Sequence, residues 1–308
     1  MENKVVVYGP VFADIIFSDL EDKPEPGKEV FSKDFLLTSG GLAITAVGLA
    51  RLELNPELIS VIGDDFFGDY IFDNLQSEGI NLKNIEKVKN GATNITAAFV
   101  YNNDRGFITK MGSLADINKI HKKIISLFKQ KKVSHFHSIL EYDDRIMFLL
   151  KKAKANGIRT SLVTGWEGVK KHKENTEYLV TLFEVTDYFF CNLLEAKALT
   201  SLEKKEDILY KFNQWGVQAV ITLGAEGAVA ISRNGQICSV DSLEVDFLDP
   251  TGAGDSFAAG FIAALEKGYD IREALELGVY CGAKSTEKIG GTTAFPGWKE
   301  VESEMRRA

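Results

Sequence analysis

The chain has 308 residues, 45% of them apolar and 26% charged, a balance that permits a sizeable buried core and excludes a disordered chain. A formal net charge of −8 provides no extended positive field, so no nucleic-acid partner is expected. Cys191, Cys238 and Cys281 form no CxxC pair, and the sequence shows neither a basic leader nor a run of about 18 apolar residues; a cytoplasmic protein with no disulfide framework and no membrane partner is expected.

Residues 4–10 form a β-branched run closed by Gly-Pro, and similar runs recur at 58–64, 133–140, 158–165, 187–192 and 217–224. Each is apolar on both faces and reads as a buried strand. Residues 68–79, 117–130, 145–156 and 176–186 carry apolar side chains at three- and four-residue spacing and read as helices between them. Such alternation predicts a three-layer α/β/α core with a mostly parallel sheet and right-handed crossovers. Residues 28–38 and 94–110 break the pattern as half-exposed strands, and a small β-sheet projecting from the core is expected there. With no repeat and no linker, residues 1–308 read as one domain. The lid comprises segments at about 12–38 and 92–112.

The stretch DPTGAGDSFAAGFIAAL, residues 249–265, ends a strand in a glycine-rich turn and begins a small-residue helix. Gly252 and Gly254 let the backbone turn tightly and clear side chains from a ligand's path. The amides of Gly252, Ala253 and Gly254 can then meet an anion at a helix N-terminus. Asp255 at the rim can accept a proton from an attacking hydroxyl, or can merely complement the helix dipole. Neither a GxxxxGK[ST] loop nor a GxGxxG turn after the first strand is present, which removes two common nucleotide folds.

With a helix following, DPTGAGDSF resembles the C-terminal signature of the ribokinase-like (PfkB) carbohydrate kinases. In family order the chain also has Asp14 after the first strand, Gly40-Gly41 opening a helix, VIGDDFFGDYIFDNLQSEGI at 61–80, CNLLEA at 191–196 and ITLGAEGA at 221–228. The resemblance implies an ATP-dependent kinase of a sugar-like hydroxyl, with ATP and Mg2+ bound and Asp255 as base beside the GAGD anion hole. It assigns Asp14, Gly40 and Gly41 to the sugar, Asn192 and Glu195 to Mg2+ and the phosphates, and Thr222, Gly224 and Gly227 to ATP. Asp249 and Thr251 match a loop that holds a monovalent cation, K+, in some members, and a homodimer joined through the lid is a further implication.

Several of these residues have plainer readings. Asn192-x-x-Glu195 is a good capping box, Thr222–Gly227 a strand–turn–strand, and Asp14 a lone carboxylate in a loop. Many members carry Asn where this chain has Thr45, which puts free ribose in doubt. Lys110, in a stretch resembling the lid of fructokinase-like and keto-deoxy-sugar-acid kinases, is a candidate for an acidic acceptor, and Glu141 for a hydroxyl. A keto sugar or sugar acid is therefore expected; a nucleoside kinase of the same fold and a catalytically silent binding protein are the alternatives. The four histidines and three tryptophans read as packing residues.

Overall fold

Valines set the first layer: in β1 (Lys4–Tyr8), Val5 and Val7 enter one buried cluster and Val6 enters another. A strand covered on both faces belongs in the middle of a sandwich. The structure, a computed structural model, describes residues 4–101, 104–112, 117–130, 132–141, 144–173 and 175–305.

After β1 come β2 (Val11–Leu20), β3 (Ser32–Gly41), α1 (Leu42–Arg51), β4 (Asn55–Gly63), α2 (Phe66–Ser77) and β5 (Ile85–Val88). The middle of the chain runs β6 (Ile95–Tyr101), β7 (Asp104–Lys110), α3 (Ile117–Phe128), β8 (Val133–Ile139), α4 (Asp144–Ala155), β9 (Arg159–Val163), α5 (Trp166–Lys173) and α6 (Thr176–Phe183). Then follow β10 (Tyr188–Asn192), α7 (Leu193–Thr200), α8 (Lys205–Gln214), β11 (Gln218–Thr222), β12 (Ala228–Ile231), β13 (Ile237–Val240), α9 (Ala253–Glu266), α10 (Ile271–Ser285) and α11 (Trp298–Met305).

The large sheet has the order β13-β12-β11-β10-β9-β8-β1-β4-β5 and is parallel from β5 to β11. The sheet is thus mostly parallel, as expected, with β12 and β13 added antiparallel and β13 at the edge. Helices α1, α9 and α10 pack on one face and α3, α4, α6 and α8 on the other, giving the α/β/α layering. A second sheet, β3-β2-β6-β7, stands apart as the lid; residues 102–103 and 113–116 of the lid stretch lie outside the described residues.

Helix α9 is buried along almost its whole length because its side chains are small: Ala258, Ala259, Gly260 and Ala263 let α1 and α10 approach closely. Its last residue, Glu266, is fixed to the sheet. Arg159 Nη1 donates to Glu266 Oε1 at 2.7 Å, and His135 Nδ1 lies 3.3 Å from the same oxygen. His135 Nε2 and His137 Nδ1 both meet Ser161 Oγ, at 2.7 and 2.8 Å, so these two histidines serve the core. Burial opposes ionisation of Glu266, but hydrogen bonds from His135 and Ser134 and the charges of His135 and Arg159 hold it down at about 2.

A depressed carboxylate contributes stability above its ordinary value near 4.3 and loses it as pH falls toward the folded value. Glu266→Gln should lower unfolding free energy by about 2–4 kcal/mol at neutral pH, less than a fully buried pair because Arg159 keeps contact with water. In urea titrations the gap between wild type and variant should narrow between about pH 4 and pH 2. A gap that stays constant would show that the carboxylate charge is not what anchors the helix.

Candidate active site

Two structural elements that lie far apart in sequence bring acidic groups together at the C-terminal edge of the parallel strands. One is β2 of the lid. Its pairing puts Asp14 opposite Thr38 of β3 and Thr96 of β6, and Thr96 opposite Thr109 of β7. These four residues therefore share one face of the lid. Asp14 is 7% exposed, and a Cβ placed on Gly40 would stand 1.8 Å from its Oδ2, so only glycine allows the carboxylate to lie there. Gly41 follows with φ 62° and starts α1 without a side-chain cap.

The other element is α9. Gly252 takes φ 75°, and a Cβ there would meet Ile44 at 2.6 Å and the Gly291 Cα at 2.8 Å. No side chain caps this helix among the described residues, and the space beside Gly254 is open. The Ala253 amide is used in a turn to the Pro250 carbonyl at 3.2 Å, leaving the amides of Gly254 and Asp255, first-turn donors without intrahelical partners, for an anion.

Burial, and then the charges of Asp255 and Asp249, push Asp14 up to about 7, while a hydrogen bond from Thr96 opposes the rise. Asp255 is pushed up to about 7 by burial and by Glu195, against the pull of the Arg105 guanidinium. Asp14 thus lies within electrostatic reach of Asp255 and Asp249, and Asp255 within reach of Glu195. Asp249 is buried, and its oxygens accept amides from Thr251 at 2.9 Å and Gly290 at 2.8 Å. Thr251 Oγ1 is buried with no bonding partner among the described residues.

Asn192 and Glu195 form the capping box of α7: Asn192 Oδ1 accepts the Glu195 amide and Glu195 Oε2 accepts the Asn192 amide, both at 2.9 Å. Burial raises Glu195 to about 7, opposed by the Asn192 amide and Arg105. Thr222 ends β11, and the turn that follows closes with the Leu223 amide donating to the Gly227 carbonyl at 2.8 Å. Beside it, residues 241–248 expose Leu243, Phe247 and Leu248, an apolar surface that no sequence pattern announces.

Thr45 lies against the start of α9, and Lys110 lies on the other face of the lid from Asp14. Thr45 is 0% exposed and donates to the Asp255 carbonyl at 3.4 Å, because its turn of α1 faces α9 rather than the cleft. Lys110 pairs with Ile95, one residue out of step with the Thr96–Thr109 pair, so it lies on the opposite lid face, with its charge near Asp65. The basic residue on Asp14's face is Arg105, two positions before Phe107, whose ring is 50% exposed and 5.6 Å from the guanidinium carbon. Glu141 stands exposed just past β8.

The pfkB family carbohydrate kinase profile matches residues 2–298. The chain is 26% identical to the ribokinase of Lactococcus lactis over 98% of this chain and 97% of that one. It is 28% identical to the nucleoside kinase of Methanocaldococcus jannaschii over 99% and 97%. An E. coli protein assigned as ribokinase II, solved with ATP and Mg2+, superposes with a TM-score of 0.80 at 26% identity, covering 99% of this chain and all of that one.

Because Asp255 raises Asp14 by charge repulsion, Asp255→Asn should lower the Asp14 titration midpoint below 7, while burial keeps it above the ordinary carboxylate range. Carbon-detected NMR of the carboxyl groups reads this directly. An unmoved midpoint would separate the two groups electrostatically.

Proposed function

The chain belongs to the pfkB family of carbohydrate kinases, phosphotransferases with a hydroxyl acceptor, and from that premise we propose that it moves the γ-phosphoryl of ATP to a hydroxyl of a sugar or sugar derivative, with Asp255 as base. One observation carries the reading: Asp14 of the lid lies within reach of the charge of Asp255, in the first turn of a helix that no side chain caps among the described residues. An acceptor bridging the two carboxylates places its hydroxyl where Asp255 can take the proton. The free amides of α9 meet the negative charge of the phosphoryl group. Residues 1–308 act as one kinase unit in the cytoplasm.

Asn192, Thr222, Gly224 and Gly227 lie on the nucleotide side, with Leu243, Phe247 and Leu248 as apolar surface for the base. Glu195 Oε2 holds the capping box, which leaves its second oxygen free to orient water around Mg2+; bound there, Mg2+ neutralises charge on the phosphates. The buried hydroxyl of Thr251 and the carboxylate of Asp249 are suitable donors for a monovalent cation such as K+.

For the acceptor, Thr45 and Lys110 stay candidates, and Arg105 joins them. A guanidinium on Asp14's face supports an acceptor with an anionic group, a sugar acid or phosphorylated sugar, ahead of free ribose. A keto sugar remains within the same site. A second reading, a nucleoside, is favoured by one observation: the exposed ring of Phe107 on that face could stack on a base. A silent binding protein would need the same carboxylates without turnover.

ADP release with Mg-ATP should be seen for at least one member of a panel of sugars, sugar acids, sugar phosphates and nucleosides. Asp255→Asn should cut kcat by about 10²–10⁴-fold with ATP affinity retained. Since the base must be ionised, kcat/KM should climb as pH rises through about 7 and then level. Arg105→Gln should move that rise to higher pH and raise KM for an anionic acceptor more than for a neutral one. Equal losses on both acceptors would sink the anionic reading, and preferred turnover of nucleosides would replace it.

The lid's opposite face carries Phe17, Phe35 (63% exposed) and Ile108 (71% exposed), apolar surface that supports a homodimer joined through the lid. Sedimentation of wild type should give twice the monomer mass, and Phe35→Asp should return it to the monomer. A monomeric wild type at micromolar concentration would discard the dimer.

A further inference from the structure

Arg51, at the end of α1, is committed through all three of its guanidinium nitrogens. Nε donates to Glu78 Oε2 at 2.9 Å and Nη2 to Glu78 Oε1 at 2.6 Å. Nη1 donates to two backbone carbonyls, Thr292 at 2.5 Å and Phe295 at 3.1 Å. Such a planar fork, half on a carboxylate and half on a loop, is a geometry that lysine cannot reproduce.

The loop so held touches Asp249, the start of α9 and the root of the lid. The Gly290 amide donates to Asp249 Oδ2 at 2.8 Å. Ser256 Oγ donates to the Gly291 carbonyl at 3.1 Å, one residue after Asp255. Gly291 lies against Gly252, the turn that opens α9, and Gly290 lies against Leu36 and Thr38 at the root of the lid. The Phe295 ring fills the notch left by Gly48 on α1, so the loop's far end is packed as well as bonded. Residues 286–297 contain no helix or strand of their own; two turns close within them, from the Thr293 amide to the Gly290 carbonyl at 3.1 Å and from the Phe295 amide to the Thr292 carbonyl at 3.2 Å, and Arg51 adds a tie from outside.

We propose that Arg51 is a positioning residue for phosphoryl transfer: clamped by Glu78, it holds residues 290–295 against the Gly252 turn and Asp249, and thereby fixes the anion-binding end of α9. It touches no reacting atom. The proposal rests on the kinase reading above and adds a remote determinant to it. The nucleotide-side residues Asn192 and Thr222 belong to β10 and β11, so releasing the loop leaves ATP binding in place while the transfer geometry drifts. Displacements of about 1 Å are enough to cost about 10²-fold in rate.

Arg51→Ala, Arg51→Lys and Glu78→Gln are to be compared with wild type by steady-state kinetics, ATP affinity and hydrogen exchange. Expected for Arg51→Ala is a fall in kcat of about 10–100-fold with ATP affinity within about twofold and faster exchange confined to peptides covering 249–256 and 286–297. Millimolar guanidinium, well below denaturing levels, should restore part of kcat to Arg51→Ala and none to Asp255→Asn. Arg51→Lys should remain impaired, and Glu78→Gln should fall between. Wild-type kcat per folded molecule, or unchanged exchange in the 286–297 peptides, would overturn the proposal, even with a lowered melting temperature. A wild type silent on every acceptor would sink the kinase reading, and the exchange arm alone would then decide whether Arg51 holds the loop.

Discussion

Several carboxylates are held close together where water is scarce, and the rest of the molecule is arranged around that constraint. Like charges in a desolvated cleft cannot all ionise cheaply, so each needs its own remedy. Asp249 accepts two backbone amides. Glu195 is tied into a capping box and faces Arg105. Asp14 and Asp255 have fewer such partners, and burial pushes both up to about 7, Asp14 also by the charge of Asp255. Cations entering the site favour their ionised forms, which links filling of the site to readiness of the base.

A raised carboxylate is useful only if its position is fixed, and α9 is restrained at both ends. At the C-terminal end, Glu266 is anchored by Arg159 and His135, residues of two neighbouring strands. At the N-terminal end, the contact between Gly252 and Gly291 and the Ser256 bond join the helix to the loop that also seats Asp249. Between the ends, small side chains leave no space for the helix to slide between α1 and α10. Asp255 is thereby fixed to the large sheet. Asp14 belongs to the small sheet, so under the proposed reading the acceptor site exists only where the two sheets meet.

Much of this was legible in the sequence because the deciding signals are local. Apolar runs on both faces gave the parallel strands, and DPTGAGD announced a helix start with a carboxylate at its rim. The parts that were not legible depend on register and on which way a helix faces. Nothing local shows that Thr45 turns toward α9 instead of the cleft. Lys110 and Arg105 sit on the same short strand, and only the pairing of Thr96 with Thr109 determines which of them shares Asp14's face. The capping box and the metal reading of Asn192 and Glu195 both fit the residues; the structure makes the box and leaves one carboxylate oxygen over. Arg51 was invisible, since its partners are a carboxylate 27 positions on and backbone carbonyls 241 and 244 positions along the chain.

The alternation that misleads a sequence reading also has a physical use. Along β7, Arg105, Phe107 and Thr109 share the face of Asp14, whereas Ile108 and Lys110 lie on the reverse. One strand of seven residues therefore presents a polar and aromatic surface on Asp14's side and the exposed Ile108 with Lys110 on the other. Under the proposed reading, changes at odd-numbered positions retune the acceptor, and changes at even-numbered positions alter association, with little crosstalk through side chains. The backbone is common to both faces. Association on the outer face would hold the strand's twist and register, and with it the placing of Arg105 and Phe107 over the carboxylates. A second copy could thus sharpen acceptor recognition without supplying a residue to the site.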